Sequence, residues 1–199
     1  RKHTLTIIEA FATVRQLVPD AQLVVAGDAA RPDHAGYEAR CCASLERAGL
    51  AIGPGQPVIR TGPMAQADMP GLYRLADTLV APSLTGSYGL CVLEAMACGT
   101  PAIISARAPG VVGTASVEAL AANPDDAAEI AAAMRTSLVP ARRAQLRNAG
   151  RAVARAQTWA TCAARHLPTY ESFAPGPAPL MPVATGSAAW NIQRFPRDA

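Results

Sequence analysis

The segment from residue 80 to residue 101 limits the fold of this chain more than any other part of the sequence. An apolar run at residues 78–81 stops at Pro82, which cannot donate to a sheet ladder, and this predicts a short buried strand. After a loop rich in glycine and serine, apolar residues recur at helical spacing over residues 90–97, and Gly99 ends the predicted helix. Such a strand, loop and helix direct free backbone N–H groups and the positive helix end at one space, where an anionic group binds well.

Two charged side chains near this segment each have a structural and a functional interpretation. Glu94 lies one turn inside the predicted helix, where the helix dipole favours an exposed carboxylate. Its apolar neighbours indicate burial instead, and a buried carboxylate needs partners such as the vicinal hydroxyls of a sugar. Lys2 precedes the first predicted helix; most lysines are simply solvated, but one in this place can also neutralise a phosphate.

The rest of the chain alternates between strand-like and helix-like patterns. Strands are predicted at residues 21–27, 58–62, 102–105 and 117–121, and helices at 4–17, 35–48, 68–75 (with Asp68 as N-cap), 127–136, 140–155 and 158–170, the last one broken by Pro168. This alternation predicts an α/β fold with a parallel sheet and helices on both faces. Ligands of such sheets bind outside the carboxyl ends of the strands, where Gly27, Gly62, Ser83 and Ser105 form one rim.

Composition limits the class of protein. The 199 residues are 50% hydrophobic and 17% charged, with a net charge of +3, which suits one α/β domain and gives no sign of nucleic-acid binding. The five cysteines are odd in number and include no C-x-x-C pair, so we expect reduced thiols in a cytoplasmic protein. No apolar run is long enough to span a membrane, although peripheral contact with one is left open. From residue 173 the sequence is rich in proline and alanine, which predicts a flexible tail over residues 173–199 after a domain at residues 1–172.

Several common sites are missing from the sequence. It contains no G-x-G-x-x-G, no G-x-x-x-x-G-K-[ST] and no G-x-S-x-G. His3, His34 and His166 have no metal-ligand spacing among themselves or with the cysteines, and we expect no metal.

The signature stretch and four further segments closely resemble the retaining glycosyltransferases of the family 4 type, which have the GT-B architecture of two Rossmann-like domains facing each other across a cleft. The signature covers residues 82–84 and 89–103, with the sequence G-L-C-V-L-E-A-M-A-C-G-T-P-A-I in its second part. Residues 1–11, 23–27 and 72–83 resemble the first helix, the next strand and the approach to the signature, and residues 123–126 resemble the region after it. The similarity extends over residues 1–170 and implies the C-terminal, donor-binding domain of such an enzyme.

The resemblance also implies a set of roles for particular residues. Lys2 falls on the lysine that contacts the donor diphosphate, and it is the one catalytic residue implied. Glu94 falls on the second glutamate of an E-x7-E pair, which holds the nucleotide ribose, while Pro63 and Met64 lie against the base. The remaining donor-binding residues implied are Thr85, Gly86, Ser87, Tyr88, Gly89 and Leu90. The nucleotide-diphospho-sugar is a substrate, so no cofactor is expected.

Three departures from the family pattern matter. Gly86 stands where the first glutamate of E-x7-E contacts the donor sugar, and Thr85 or Ser87 offers only a neutral hydrogen bond there. Gly110 stands where many relatives have an acidic residue after proline. The family's first donor-domain strand, a phosphate-binding arginine and the acceptor domain would all precede Arg1. In the strand order 3-2-1-4-5-6 the first strand is central, so we expect a gap in the sheet and a chain that is part of a longer polypeptide or a truncated product.

We therefore expect a glycosyltransferase donor domain that, joined to its acceptor domain, moves a sugar with retention from a nucleotide-diphospho-sugar to an acceptor hydroxyl. The alternative is a degenerate nucleotide-sugar-binding module without catalysis, which Gly86 favours. An epimerase of the same architecture is a third option, and the lack of candidate acid and base carboxylates near the rim counts against it.

Overall fold

The computed structural model describes residues 3–27, 35–83, 89–107 and 118–173. The chain divides into two compact units, residues 1–159 and 160–199. The helices are α1 (Thr4–Leu17), α2 (Ala35–Arg47), α3 (Met69–Leu75), α4 (Leu90–Cys98), α5 (Ala127–Leu138), α6 (Pro140–Ala156) and α7 (Trp159–Phe173). The strands are β1 (Leu23–Ala26), β2 (Val58–Gly62), β3 (Leu79–Ala81), β4 (Ala102–Ser105) and β5 (Leu120–Ala122). The predicted α/β fold is confirmed.

The five strands form two parallel sheets. β1 pairs with β2, with Leu23 beside Val58, and the other sheet has the order β3-β4-β5, with Val80 beside Ile103. In the strand order 3-2-1-4-5-6, β2 and β1 occupy places 3 and 2, and β3, β4 and β5 occupy places 4, 5 and 6. β1 pairs only with β2 and β3 only with β4, so no described residue pairs with the other edge of either strand. The gap expected at the central strand is therefore present in the described part of the chain.

Helix α1 contacts both sheets through two different stripes. Ala10 and Val14 pack in a cluster with Ile103 of β4, whereas Ile8 and Phe11 pack with Val58 of β2 and with α2. Two stripes at helical spacing put these residues on adjacent faces of one helix. α1 therefore holds the two sheets next to each other in spite of the gap.

The three-stranded sheet carries helices on both faces. Every residue of β4 is buried, which fits the continuous apolar run of a central parallel strand. Ile103 faces α1 and α5, and Ile104 faces the opposite layer, in which Val92 and Met96 of α4 pack with α6. The two-stranded sheet is covered less completely, since Val24 of β1 is 40% exposed.

Two local predictions were wrong. The last strand comprises residues 120–122 instead of 117–121, because three residues alone pair with β4 and alanine has little strand preference of its own. Pro168 does not break the last helix, which continues to Phe173; the residues around Pro168 are exposed, so water can donate to the carbonyl oxygen that the proline leaves without an N–H partner. Asp68 is the N-cap residue of α3, as predicted, although its side chain makes no capping hydrogen bond.

All five cysteines are free thiols. Burial and the nearby Glu38 carboxylate raise the pKa of the Cys41 thiol. None of the helices in the described ranges is both long and apolar enough to cross a bilayer.

Candidate functional site

The N-terminus of α4 lies at the carboxyl edge of the three-stranded sheet, where the signature segment was expected to bind an anion. Gly89 precedes the helix with φ 73° and ψ 40°, a left-handed conformation that glycine adopts without a steric cost. Leu90 opens the helix and is 49% exposed. The first N–H groups of a helix have no intrahelical partner, so this end offers donors to a ligand.

Glu94 lies one turn further along α4, between the buried Leu93 and Ala95, and its own side chain is half-buried. Its Oε2 accepts a hydrogen bond from the Tyr73 hydroxyl at 2.8 Å, across 21 residues of sequence. Within the described residues, Tyr73 is the one hydrogen-bond partner found for this carboxylate. A half-buried carboxylate needs a hydrogen-bond donor, and the donor found here is the Tyr73 hydroxyl. It binds one of the two carboxylate oxygens.

Tyr73 itself is firmly held. It is 6% exposed, and its carbonyl oxygen accepts a hydrogen bond from the Thr100 hydroxyl at 2.5 Å. Burial first, and then the hydrogen bond to Glu94, raise the pKa of Tyr73 well above its ordinary value. The phenol therefore stays protonated and remains a donor over the physiological pH range.

The residues predicted to form one rim lie at the carboxyl ends of their strands, but they belong to two different sheets. Gly27 and Gly62 follow β1 and end β2, and Gly27 N donates to Gly62 O at 3.0 Å. Pro63 is exposed and Met64 half-buried directly after β2. Ser83 follows β3 and Ser105 ends β4. The structure thus joins Gly89, Leu90 and Glu94 on one helix, and it sets Pro63 and Met64 at the end of the other sheet.

The other predicted site residues, Lys2, Thr85, Gly86, Ser87 and Tyr88, lie outside the described residues, and so does Gly110. No cluster of three His, Cys, Asp or Glu side chains able to hold a metal occurs among the residues that are described.

A cluster of charges at the same edge had no signal in the sequence. Asp125, just after β5, accepts a hydrogen bond from Arg107 at 2.5 Å, and its other oxygen lies 3.5 Å from His3 Nδ1. Arg107 follows β4 and His3 precedes α1, so the Asp125 carboxylate connects its own segment after β5 with two others. These residues are up to 122 positions apart in sequence (His3 to Asp125), and no local pattern marks them.

Comparisons with known proteins agree with this architecture. The family model for glycosyl transferases group 1 matches residues 1–139. The GDP-mannose-dependent alpha-(1-6)-phosphatidylinositol dimannoside mannosyltransferase of Mycobacterium tuberculosis is 34% identical over 175 residues, which are 87% of this chain and 42% of that protein. The chain spans less than half the length of the relatives that it matches.

Solved structures show the same fold. HepE from Anabaena, in complex with UDP and glucose, has a TM-score of 0.69 and 21% identity over 85% of this chain and 44% of that one. The C-terminal domain of the group 1 glycosyl transferase LpcC from Francisella tularensis has a TM-score of 0.69 and 24% identity, covering 78% of this chain and 79% of that one. The chain therefore belongs to the glycosyl transferases group 1 family and has the α/β fold of the C-terminal domains of GT-B glycosyltransferases.

Proposed function

We propose that this chain is the donor-binding domain of a retaining glycosyltransferase of the family 4 type. Joined to an acceptor domain, it transfers a sugar with retention from a nucleotide-diphospho-sugar to an acceptor hydroxyl. The observation that carries the proposal is the combination of the α4 N-terminus, preceded by Gly89, with the Glu94 carboxylate one turn inside the same helix.

The two parts of α4 suit two parts of a nucleotide. N–H groups at the helix start and the helix dipole stabilise a diphosphate, and a carboxylate accepts hydrogen bonds from the vicinal hydroxyls of a ribose. The distance along a helix from its first residue to its fifth is about 6 Å, given a rise of about 1.5 Å per residue, which suits neighbouring groups of one ligand. Glu94 is thus assigned to the ribose, and the N–H groups near Gly89 and Leu90 to the diphosphate.

Catalysis in this proposal depends on stabilising the leaving diphosphate. Lys2 supplies a positive charge to the phosphates, and the helix N-terminus supplies oriented dipoles. Thr85, Gly86, Ser87 and Tyr88 line the donor sugar and diphosphate, and Pro63 and Met64 lie against the base. No metal and no organic cofactor take part. The proposed donor-binding domain extends over residues 1–172.

The names of similar proteins agree with a nucleotide-sugar donor. The mycobacterial relative is named for its dependence on GDP-mannose, and HepE was solved with UDP and glucose. The sheet gap between β1 and β3 fits one further parallel strand, which we assign to a preceding part of the same polypeptide, together with the acceptor domain. Acceptor choice then lies outside the residues described.

Binding experiments test this function directly. Isothermal titration of the 199-residue chain with UDP, UDP-glucose, GDP and GDP-mannose is expected to give saturable binding for one base. The Glu94→Gln variant keeps the size of the side chain but removes the charged acceptor, which is worth about 1.5–3 kcal/mol for a hydrogen bond to a charged group. We expect its affinity for the nucleotide to fall about 10- to 100-fold.

Glu46→Gln is the matched control, because Glu46 is exposed near the end of α2. It is expected to bind as the wild type does. Failure of the wild-type chain to bind any of the four ligands would refute the proposal, and so would unchanged affinity in Glu94→Gln.

A non-catalytic nucleotide-sugar module remains the second candidate, and Gly86 in place of a sugar-contacting glutamate favours it. The two candidates differ in turnover. An enzyme releases free nucleoside diphosphate from the bound donor when an acceptor is present, and a binding module does not. Binding without release of diphosphate by the longer polypeptide decides for the module.

A further inference from the structure

The contact between Tyr73 and Glu94 connects the short helix α3 to the proposed ribose carboxylate. Tyr73 is fixed at two points: Thr100 donates to its carbonyl oxygen, and its own hydroxyl donates to Glu94. Thr100 is 3% exposed and directly follows the Gly99 that ends α4. The backbone of Tyr73 is therefore tied near the end of α4, and its side chain reaches back to the middle of the same helix.

From this geometry we propose that Tyr73 is a positioning residue that orients the Glu94 carboxylate for a ribose. This inference rests on the proposed function and adds to it a determinant of specificity for the sugar of the nucleotide. Tyr73 holds Oε2, so the carboxylate cannot rotate freely. Oε1 has no hydrogen-bond partner among the described residues and is left to accept from a ligand. The chemical class selected is a nucleoside diphosphate with a 2′,3′-diol.

A free glutamate side chain pays entropy when it is ordered by a ligand. Immobilising such a side chain weakens binding by about 2- to 13-fold, and a carboxylate that is already fixed avoids that loss. The phenol is well suited to the task because it has one donor and is buried in a position that keeps it protonated. The half-buried carboxylate also needs this donor, because a carboxylate without a partner is costly to remove from water.

The Tyr73→Phe variant removes the donor and keeps the packing of the ring. We expect its affinity for UDP to fall about tenfold, which corresponds to the loss of one hydrogen bond to a charged group. Its affinity for 2′,3′-dideoxy-UDP should stay the same, because that ligand has no diol to bind Glu94. GDP and 2′,3′-dideoxy-GDP form the parallel pair of probes. The wild-type chain is expected to prefer the diol, and Tyr73→Phe to lose most of that preference.

Tyr170→Phe is the matched control, since it makes the same chemical change at a tyrosine of α7 that is 68% exposed. In a Glu94→Ala background, Tyr73→Phe should change the affinity for UDP by less than about twofold, because the two residues act through one contact. Equal losses for UDP and dideoxy-UDP, or an unchanged preference in Tyr73→Phe, would overturn the inference. A wild-type chain that binds UDP and dideoxy-UDP equally would overturn it too.

A wild-type chain that binds no nucleotide defeats the proposed function itself, and the two failures are thus distinguishable. If Tyr73→Phe does not fold, NMR of the wild-type chain labelled at the tyrosine Cζ atoms decides the question. The chain has four tyrosines, and the signal of Tyr73 is assigned by eliminating the other three with phenylalanine variants. It is expected to shift on addition of UDP and not of dideoxy-UDP, and an unshifted signal at UDP saturation contradicts the proposal.

Discussion

Replacing Gly99 by alanine is expected to destabilise the fold by about 2 kcal/mol. Gly99 ends α4 with φ 81° and ψ 25°, a left-handed conformation in which a Cβ costs roughly 1–2 kcal/mol. A Cβ at this position would also lie 2.7 Å from Cζ of Arg151, so the guanidinium has to move. Because Arg151 is exposed, that movement adds only about 0.5 kcal/mol.

Urea unfolding followed by circular dichroism measures this loss in a set of four variants. Gly99→Asn should lose less than Gly99→Ala, because asparagine tolerates the left-handed region. Arg151→Ala separates the two contributions: added to Gly99→Ala, it should restore the small part due to the guanidinium and leave the backbone part. Wild-type stability in Gly99→Ala would refute the reasoning, and so would full recovery in the double variant.

Two further changes have expected outcomes that can be measured in the same way. Asp126→Ala removes the N-cap of α5, whose carboxylate accepts hydrogen bonds from Ala128 N at 2.9 Å and Glu129 N at 3.0 Å. This variant should lose about 1 kcal/mol of stability, and Asp126→Asn should lose less. Equal stability of the wild type and the two variants would contradict a stabilising cap. Burial and the hydrogen bond to Glu94 raise the pKa of Tyr73 in the folded state above its ordinary value of 10.0. The contribution of the protonated tyrosine to the free energy of unfolding is therefore complete below that pH and is lost as the pH rises further. Above about pH 10 the wild type should therefore lose stability more steeply than Tyr73→Phe, by up to about 1.4 kcal/mol per pH unit, and parallel curves would count against the shift.

Most of the fold follows from local patterns in the sequence. α1 and β2 begin and end at the predicted residues, and β3 is followed by α4 in the predicted order. Continuous apolar runs and glycines at their ends are strong signals, because a buried parallel strand needs both faces apolar and a helix end favours a left-handed residue. The place of the sheet gap could also be predicted, since strand order in this class of sheet is regular.

The contacts that organise the candidate site could not be found in the same way. The partners Tyr73 and Glu94 belong to different helices, and nothing near either residue indicates the other. The cluster of His3, Arg107 and Asp125 likewise depends on how the strands are ordered in space. Charged and hydroxyl side chains are common on surfaces, so their type carries little information until the fold brings them together.

The two apolar stripes of α1 have a consequence for how the first unit opens. A helix that packs on one sheet can detach while the rest stays folded, but detaching α1 removes packing from the clusters around both Ile103 and Val58 at once. Local opening of this helix therefore exposes apolar surface in both clusters. This shared packing makes the two sheets one cooperative unit. In native-state hydrogen exchange, the amides of α1 from Ile8 to Val14 should exchange among the slowest of the described residues, together with those of β4.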